Sequence, residues 1–208
     1  MKLIGQFDSP FVRRVGVALD LYGLDFEHLP WSSFGDSDKF VQHNPLKRVP
    51  TLILESGEAL IDSGAILGVL DERVGPERAL IPEMGPARWA AFQRIALITG
   101  AADKAVSFFY AKLFSTGLDA DFVARSEGQI IAAVTALERA CAERKRAWWF
   151  GEMPGHDDIA IACVVRFLSE AYAPLFQWDH FPALADHSKR AEALPAFIRR
   201  KQAFVPPQ

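Results

Sequence analysis

The chain opens on a short apolar run, Lys2 to Phe7, that stops at Asp8-Ser9-Pro10, the pattern of a strand meeting a helix. Proline is tolerated there, because the N–H it lacks has no helical partner in the first turn. From Pro10 to Tyr22 the apolar residues fall into two stripes, Phe11/Val15/Ala18/Tyr22 and Val12/Val15/Leu19. A helix so patterned is covered on more than one side. Gly23 ends it, Phe26 to Leu29 predicts a second strand, and a Ser/Asp/Gly-rich loop from Ser32 to Asp38 leads to a short helical stretch near Phe40. Thr51-Leu52-Ile53-Leu54, the turn Ser56-Gly57-Glu58 and Ala59-Leu60-Ile61 predict an antiparallel hairpin. Asp62-Ser63 then opens an amphipathic helix through Val74, with Ile66, Leu67 and Leu70 on its apolar face. The order is strand, helix, strand, helix, strand, strand, helix.

Gly75-Pro76 and the stretch from Pro82 to Pro86 break the pattern, and beyond them strand signals nearly vanish. Helices are predicted from Arg88 to about Phe114, from about Asp121 to Arg146, from Asp157 to Tyr172, and in shorter segments near Leu184 and Phe197. Ala160, Cys163, Val164, Phe167, Leu168 and Ala171 hold an i, i+3, i+4 spacing over three turns, which marks a central core helix. The shift in pattern divides the chain into a mixed α/β domain at 1–76, a linker at 77–87 and an all-helical domain at 88–208.

Composition adds mainly exclusions. With 208 residues, half of them apolar, the chain can bury its cores without staples. Its 23 basic and 26 acidic residues give a net charge of -3, which offers no electrostatic footing for nucleic acid. The opening apolar run is too short for a secretory signal, and no apolar stretch suffices for a membrane span, so a cytoplasmic location is expected. Cys141 and Cys163 sit inside helical patterns, apart from any Cys/His cluster, and read as buried thiols in a reducing compartment rather than zinc ligands.

This order, combined with Ser9-Pro10 at the first strand–helix junction, Asn44-Pro45-Leu46-Lys47-Arg48-Val49-Pro50-Thr51-Leu52 and Asp62-Ser63, resembles the glutathione S-transferase superfamily over essentially the whole chain. The resemblance implies a thioredoxin-like βαβαββα domain that binds glutathione, followed by an all-helical domain that supplies the second substrate. It further implies a detoxifying enzyme that activates the thiol as thiolate for attack on an apolar electrophile, and a homodimer without a metal. A serine at Ser9 is similar to the theta, zeta, omega and beta classes; the tyrosine-type classes are disfavoured because Tyr22 lies a full helix away. A hydroxyl forms no mixed disulfide, so thiol exchange of the cysteine-type classes is disfavoured as well.

The resemblance assigns roles by position. Ser9, at the cap of the first helix, is the expected catalytic residue, its hydroxyl and the helix N-terminus favouring anionic sulfur; the same serine suits a plain helix cap. Val49 offers its backbone to the cysteinyl part of glutathione ahead of Pro50, whose isomer the sequence leaves open and which the family holds cis. Asp62 faces the α-amino group and Ser63 receives the γ-glutamyl carboxylate, although both also read as caps. Lys47 and Arg48 either bind the glycine carboxylate or remain solvated. Phe11 is expected against glutathione and, with Trp31, Phe34, Phe108, Phe109 and Leu113, around an electrophile pocket between the Ser9 loop and the helix from Arg88.

One departure lies at Gly155-His156-Asp157-Asp158, where glycine replaces the family's usual Ser/Thr cap and His156 reads as a surface-loop residue. Two other functions stay open: a glutathione-dependent isomerase, favoured by the zeta-like Asn44 to Leu52 stretch but lacking the Ser-Ser-Cys signature, and a non-catalytic binding or regulatory protein on the same fold.

Overall fold

A computed structural model describes residues 1–173 and 175–206, Ser37 by its backbone alone. Two compact units emerge: Met1–Glu83 joined by the C-terminal stretch from Glu192, and Met84–Ala191. The stretch after Glu192, read from the sequence as part of the helical domain, therefore clusters with the first unit.

In that unit β1 (Lys2–Ile4), α1 (Pro10–Tyr22), β2 (Glu27–Leu29), α2 (Ser37–Phe40), β3 (Thr51–Ile53), β4 (Ala59–Ile61) and α3 (Ser63–Val74) follow the predicted order. The sheet runs β2-β1-β3-β4, with β1 parallel to β2 and antiparallel to β3, and β3 antiparallel to β4, which is the thioredoxin-like arrangement. The first strand is shorter than the predicted Lys2–Phe7, because Gly5 turns away with φ 127°. A Cβ on Gly5 would lie 2.5 Å from Val12 Cγ2 and 2.8 Å from Val49 Cβ, so only glycine lets β1, α1 and the loop before β3 meet there.

Leu3 and Leu52 from the sheet, Val12, Val15 and Leu19 from α1, and Ile66, Leu67 and Leu70 from α3 form one core. Each such side chain is worth about 1.5–3 kcal/mol on burial, so packing rather than capping dominates the stability of these short elements. Both stripes of α1 are covered, and the cover includes Arg13 and Arg14, which the periodicity did not mark as buried. Arg13 reaches the C-terminal stretch: its guanidinium donates to both oxygens of Glu192 at 2.5 and 2.7 Å and to the carbonyls of Phe197 and Arg200 at 3.1 and 3.0 Å.

The helical unit holds α4 (Gly85–Phe114), α5 (Ala120–Glu143) and α6 (His156–Ala171), a 3-10 turn at Trp178–His180, and most of α7 (Pro182–Glu192); α8 (Pro195–Arg199) belongs to the first unit. Starting at Gly85, α4 extends into the segment read as linker, because Pro86 suits a first turn. As predicted, α6 is a core helix, with 12 of its 16 residues buried. His156 is buried in its first turn, at 3 % exposure, and is not a surface residue. Asp158 accepts the Gly155 N–H at 3.0 Å, which caps the helix without a side chain at Gly155. Both cysteines are buried. No helix among the described residues is long and apolar enough to cross a membrane.

Candidate active site

Three loops leave the sheet at one end. Cross-strand register places Ile4 beside Thr51 and Thr51 beside Ile61. The segment leading to Ser9 follows Ile4, Val49-Pro50 immediately precedes Thr51, and Asp62-Ser63 immediately follows Ile61. Neighbouring strands lie about 4.8 Å apart, so the row spans roughly 10 Å.

Ser9 is the N-cap of α1, in extended conformation. Its Oγ accepts a long bond from Val12 N at 3.4 Å, and its carbonyl accepts the first helical bond from Arg13 N at 2.9 Å. A hydroxyl that accepts from the helix keeps its own proton to donate outward. The amides of the first turn add partial positive charge at the same place. Ser9 is therefore both a cap and a possible donor to an anion. Phe11, half-buried, stands in that turn.

The Val49–Pro50 bond is cis. What fixes this loop is Asn44, which the sequence reading named only within a motif. Buried to 1 % exposure, it donates to the Arg48 carbonyl at 2.8 Å and to Thr51 Oγ1 at 3.0 Å, and its Oδ1 accepts Leu46 N at 3.0 Å. Thr51 Oγ1 in turn reaches the Arg48 carbonyl at 3.3 Å. The Arg48 carbonyl and the Leu46 amide are thus held by the buried side chains of Asn44 and Thr51, which restrains the backbone that leads into Val49. Lys47, at φ 52°, and Arg48 both point to solvent, with Lys47 Nζ 3.5 Å from Asp38 Oδ1.

At the third corner Asp62 caps α3 from a left-handed position, φ 70° and ψ 130°, its Oδ1 accepting Gly64 N at 2.6 Å. A non-glycine residue held there costs about 1–3 kcal/mol, a strain found most often at ligand clamps. Ser63 is buried and Asp62 exposed, so a carboxylate faces solvent directly beside a helix N-terminus.

Of the aromatic residues expected around a second pocket, Phe108 is buried core at 1 % exposure and Phe34 is exposed. Trp31 stacks on Phe40 with centroids 6.4 Å apart. Phe109 and Leu113 line a cavity of about 510 Å³ inside the helical unit, with Lys112, Glu127, Ala171, Tyr172 and Leu175. Lys112 Nζ lies 3.2 Å from Glu127 Oε1, and Tyr172 Oη donates to the Ala105 carbonyl at 2.6 Å. The cavity is apolar with one ion pair in its wall, a lining the sequence showed only as helical aromatics. Among the described residues no three His, Cys, Asp or Glu side chains stand together as a metal site.

Comparison with known proteins matches the description "Glutathione S-transferase, N-terminal domain" over residues 3–78 and "Glutathione S-transferase, C-terminal domain" over residues 120–190. A maleylacetoacetate isomerase of Pseudomonas aeruginosa is 29% identical, the match covering 99% of this chain and 98% of that one. A glutathione S-transferase of Methylobacterium radiotolerans, solved in complex with glutathione sulfonate, is 28% identical with a TM-score of 0.88, over 100% of this chain and 98% of that one. The holo structure of maleyl pyruvate isomerase, a bacterial glutathione S-transferase in the zeta class, is 25% identical with a TM-score of 0.81, over 96% of each chain.

Proposed function

Since the chain belongs to the glutathione S-transferase superfamily, we propose that it binds glutathione along the row of three loops, activates its thiol as thiolate at Ser9, and transfers the sulfur to an apolar electrophile. The observation that supports this reading is the shared register of Ile4, Thr51 and Ile61, since the segments that carry Ser9, Val49 and Ser63 run from these three strand ends. A span of roughly 10 Å matches an extended tripeptide at about 3.4 Å per residue.

The chemistry follows from the three corners. Ser63 and the first amides of α3 receive the γ-glutamyl carboxylate, and the Asp62 carboxylate faces the α-amino group. Val49 pairs its backbone with the cysteinyl residue, while Lys47 and Arg48 attract the glycine carboxylate. Phe11 borders the sulfur. A free cysteine thiol titrates near 8.5, so only a few per cent is thiolate at neutral pH, and each unit of depression is worth about 1.4 kcal/mol. The Ser9 O–H donated to sulfur, reinforced by the α1 dipole, stabilises the anion and not the thiol. The sulfur lone pair then forms the carbon–sulfur bond as the electrophile's leaving group departs with the bonding electrons. An electrophile of this kind needs apolar surface beside the sulfur.

Isomerisation is a second reading, favoured by the full-length likeness to two isomerases. The same thiolate adds to one carbon of a conjugated cis alkene, the former double bond rotates, and expulsion of the sulfur restores both thiolate and alkene in trans form. The two reactions differ only in whether sulfur leaves again. Phe7-Asp8-Ser9-Pro10 replaces the zeta-type signature, which is why conjugation is placed first.

A cytoplasmic homodimer completes the proposal. Met84, just before α4, and Trp89 and Phe92 in its first turns are exposed, apolar surface that a second copy would cover, and a monomeric mass by light scattering would refute that part. For the reaction, the test is Ser9→Ala, assayed with glutathione and an activated haloarene, and with maleylacetoacetate. We expect turnover to fall about 100-fold or more while glutathione is still retained. Unchanged turnover removes Ser9 from the mechanism; conversion of maleylacetoacetate without haloarene conjugation moves the isomerase to first place.

A further inference from the structure

The loop that carries Ser9 is held by the far end of the chain. Phe7, buried between β1 and α1, donates its backbone N–H to Gln202 Oε1 at 2.9 Å across a separation of 195 residues. This amide lies inside the four-residue turn from Gln6 to Ser9, closed by Ser9 N to the Gln6 carbonyl at 3.2 Å. Rotating the Phe7 peptide plane therefore moves Ser9.

The surrounding contacts fix Gln202 in turn. Arg200 pairs with both oxygens of Asp20, near the end of α1, at 2.8 and 2.6 Å. Its guanidinium lies 5.4 Å from the centre of the Phe7 ring, whose other neighbour is His28, stacked at 4.1 Å. The Val205 N–H reaches the carboxylate of Asp8, the residue beside Ser9, at 3.5 Å. The stretch from Glu192 thus touches α1 at Arg13 and Asp20 and the loop at Phe7 and Asp8. Of these contacts, the Gln202 bond acts on the loop backbone without contributing to the apolar core.

We propose that Gln202 is a positioning residue for the sulfur-activating corner: by accepting the Phe7 N–H it holds the turn that aims the Ser9 hydroxyl. This rests on the reading of Ser9 given above. Donor geometry at a developing anion is demanding, and a displacement near 1 Å can cost up to about 100-fold in rate.

The experiment compares wild type with Gln202→Met, which keeps the length and loses the acceptor, and with Lys201→Ala, an exposed neighbour. Bound glutathione is titrated by the ultraviolet absorbance of its thiolate, alongside kcat, KM and thermal melting. Expected for Gln202→Met are an unchanged melt, a KM close to wild type, a kcat lower by about tenfold and a thiol pKa moved back toward that of free glutathione; Lys201→Ala behaves as wild type. Gln202→Ala removes the same acceptor and leaves the rest of the C-terminal stretch in place; it should reproduce the shift, which decides the matter if Gln202→Met folds poorly. A wild-type thiol pKa in both altered chains overturns the role of Gln202 alone. Wild type that leaves bound glutathione at its free pKa overturns it together with the reading of Ser9.

Discussion

Arg13, one turn into α1, is joined to Glu192 across 179 residues of sequence, its two terminal nitrogens 2.5 and 2.7 Å from the two carboxylate oxygens. The guanidinium is almost wholly enclosed, and the carboxylate only partly open to water, at 2% and 22% side-chain exposure. Removing one partner of such a pair leaves a charge without its counter-ion, which costs more than the pair contributes. Arg13→Met is expected to destabilise by about 3 kcal/mol, and Arg13→Met/Glu192→Leu to recover at least half of that. Urea denaturation of the three chains measures it; additive losses would show the pair to be independent contacts.

Asn44→Ala leaves the Arg48 carbonyl and Thr51 hydroxyl with fewer partners and removes a buried brace. Loss of about 2–3 kcal/mol is expected, together with weaker glutathione binding as the Val49 backbone loosens. Calorimetry beside denaturation separates the two effects, and full affinity in a destabilised variant would show that the brace serves folding only.

Asp62 holds a left-handed conformation that glycine adopts freely. Asp62→Gly therefore relieves strain of about 1 kcal/mol while losing a cap worth only a few tenths relative to glycine. Stability should stay level or rise. Glutathione affinity should nevertheless fall about tenfold or more, because the carboxylate for the α-amino group is gone. A drop in melting temperature with affinity retained would reverse both assignments.

Inside the helical unit, Arg144 Nη1 donates to Asp158 Oδ1 at 3.1 Å and to His187 Nδ1 at 2.9 Å, while His187 Nε2 faces the Asp158 carbonyl at 3.0 Å. Burial lowers the His187 pKa from 6.5 to about 4. Its contribution to stability is complete above pH 6.5 and is lost as the pH falls through 4. Burial, with Asp157 adjacent, pushes the Asp158 carboxyl from 3.8 up to about 7, so its contribution is complete below 3.8 and lost as the pH rises through 7. Between pH 4 and 6.5 the two slopes oppose. Asp158→Asn removes one of them, so its urea midpoint should fall more steeply than wild type on acidification across that interval. Parallel curves would mean that the Asp158 carboxyl is not raised by burial in the folded protein.

Short apolar runs at Thr51 to Leu54 and Ala59 to Ile61 on either side of the turn Ser56-Gly57-Glu58 made the hairpin legible, and Ser9-Pro10 and Asp62-Ser63 carried their own helix starts, because these signals act between near neighbours. What escaped the sequence depends on distant partners. Gly5 read as a strand residue, since its need to be small arises from Val12 and Val49. His156 read as exposed because a histidine beside glycine carries no periodicity. The N-terminus of α7 gave no capping signal of its own; Glu138 on α5 accepts Ala183 N at 2.9 Å and Leu184 N at 2.8 Å from 45 or more residues away. Arg13 lies on neither apolar stripe of its helix, and its burial depends on Glu192, 179 residues away.

That last contact orders events during synthesis. Glu192 leaves the ribosome only after the whole of Met84–Ala191, so a nascent chain carries Arg13 without its counter-ion while the second unit is being made. The earliest portion to emerge is thus among the last to be completed, and a fragment cut at Glu83 would never reach that state.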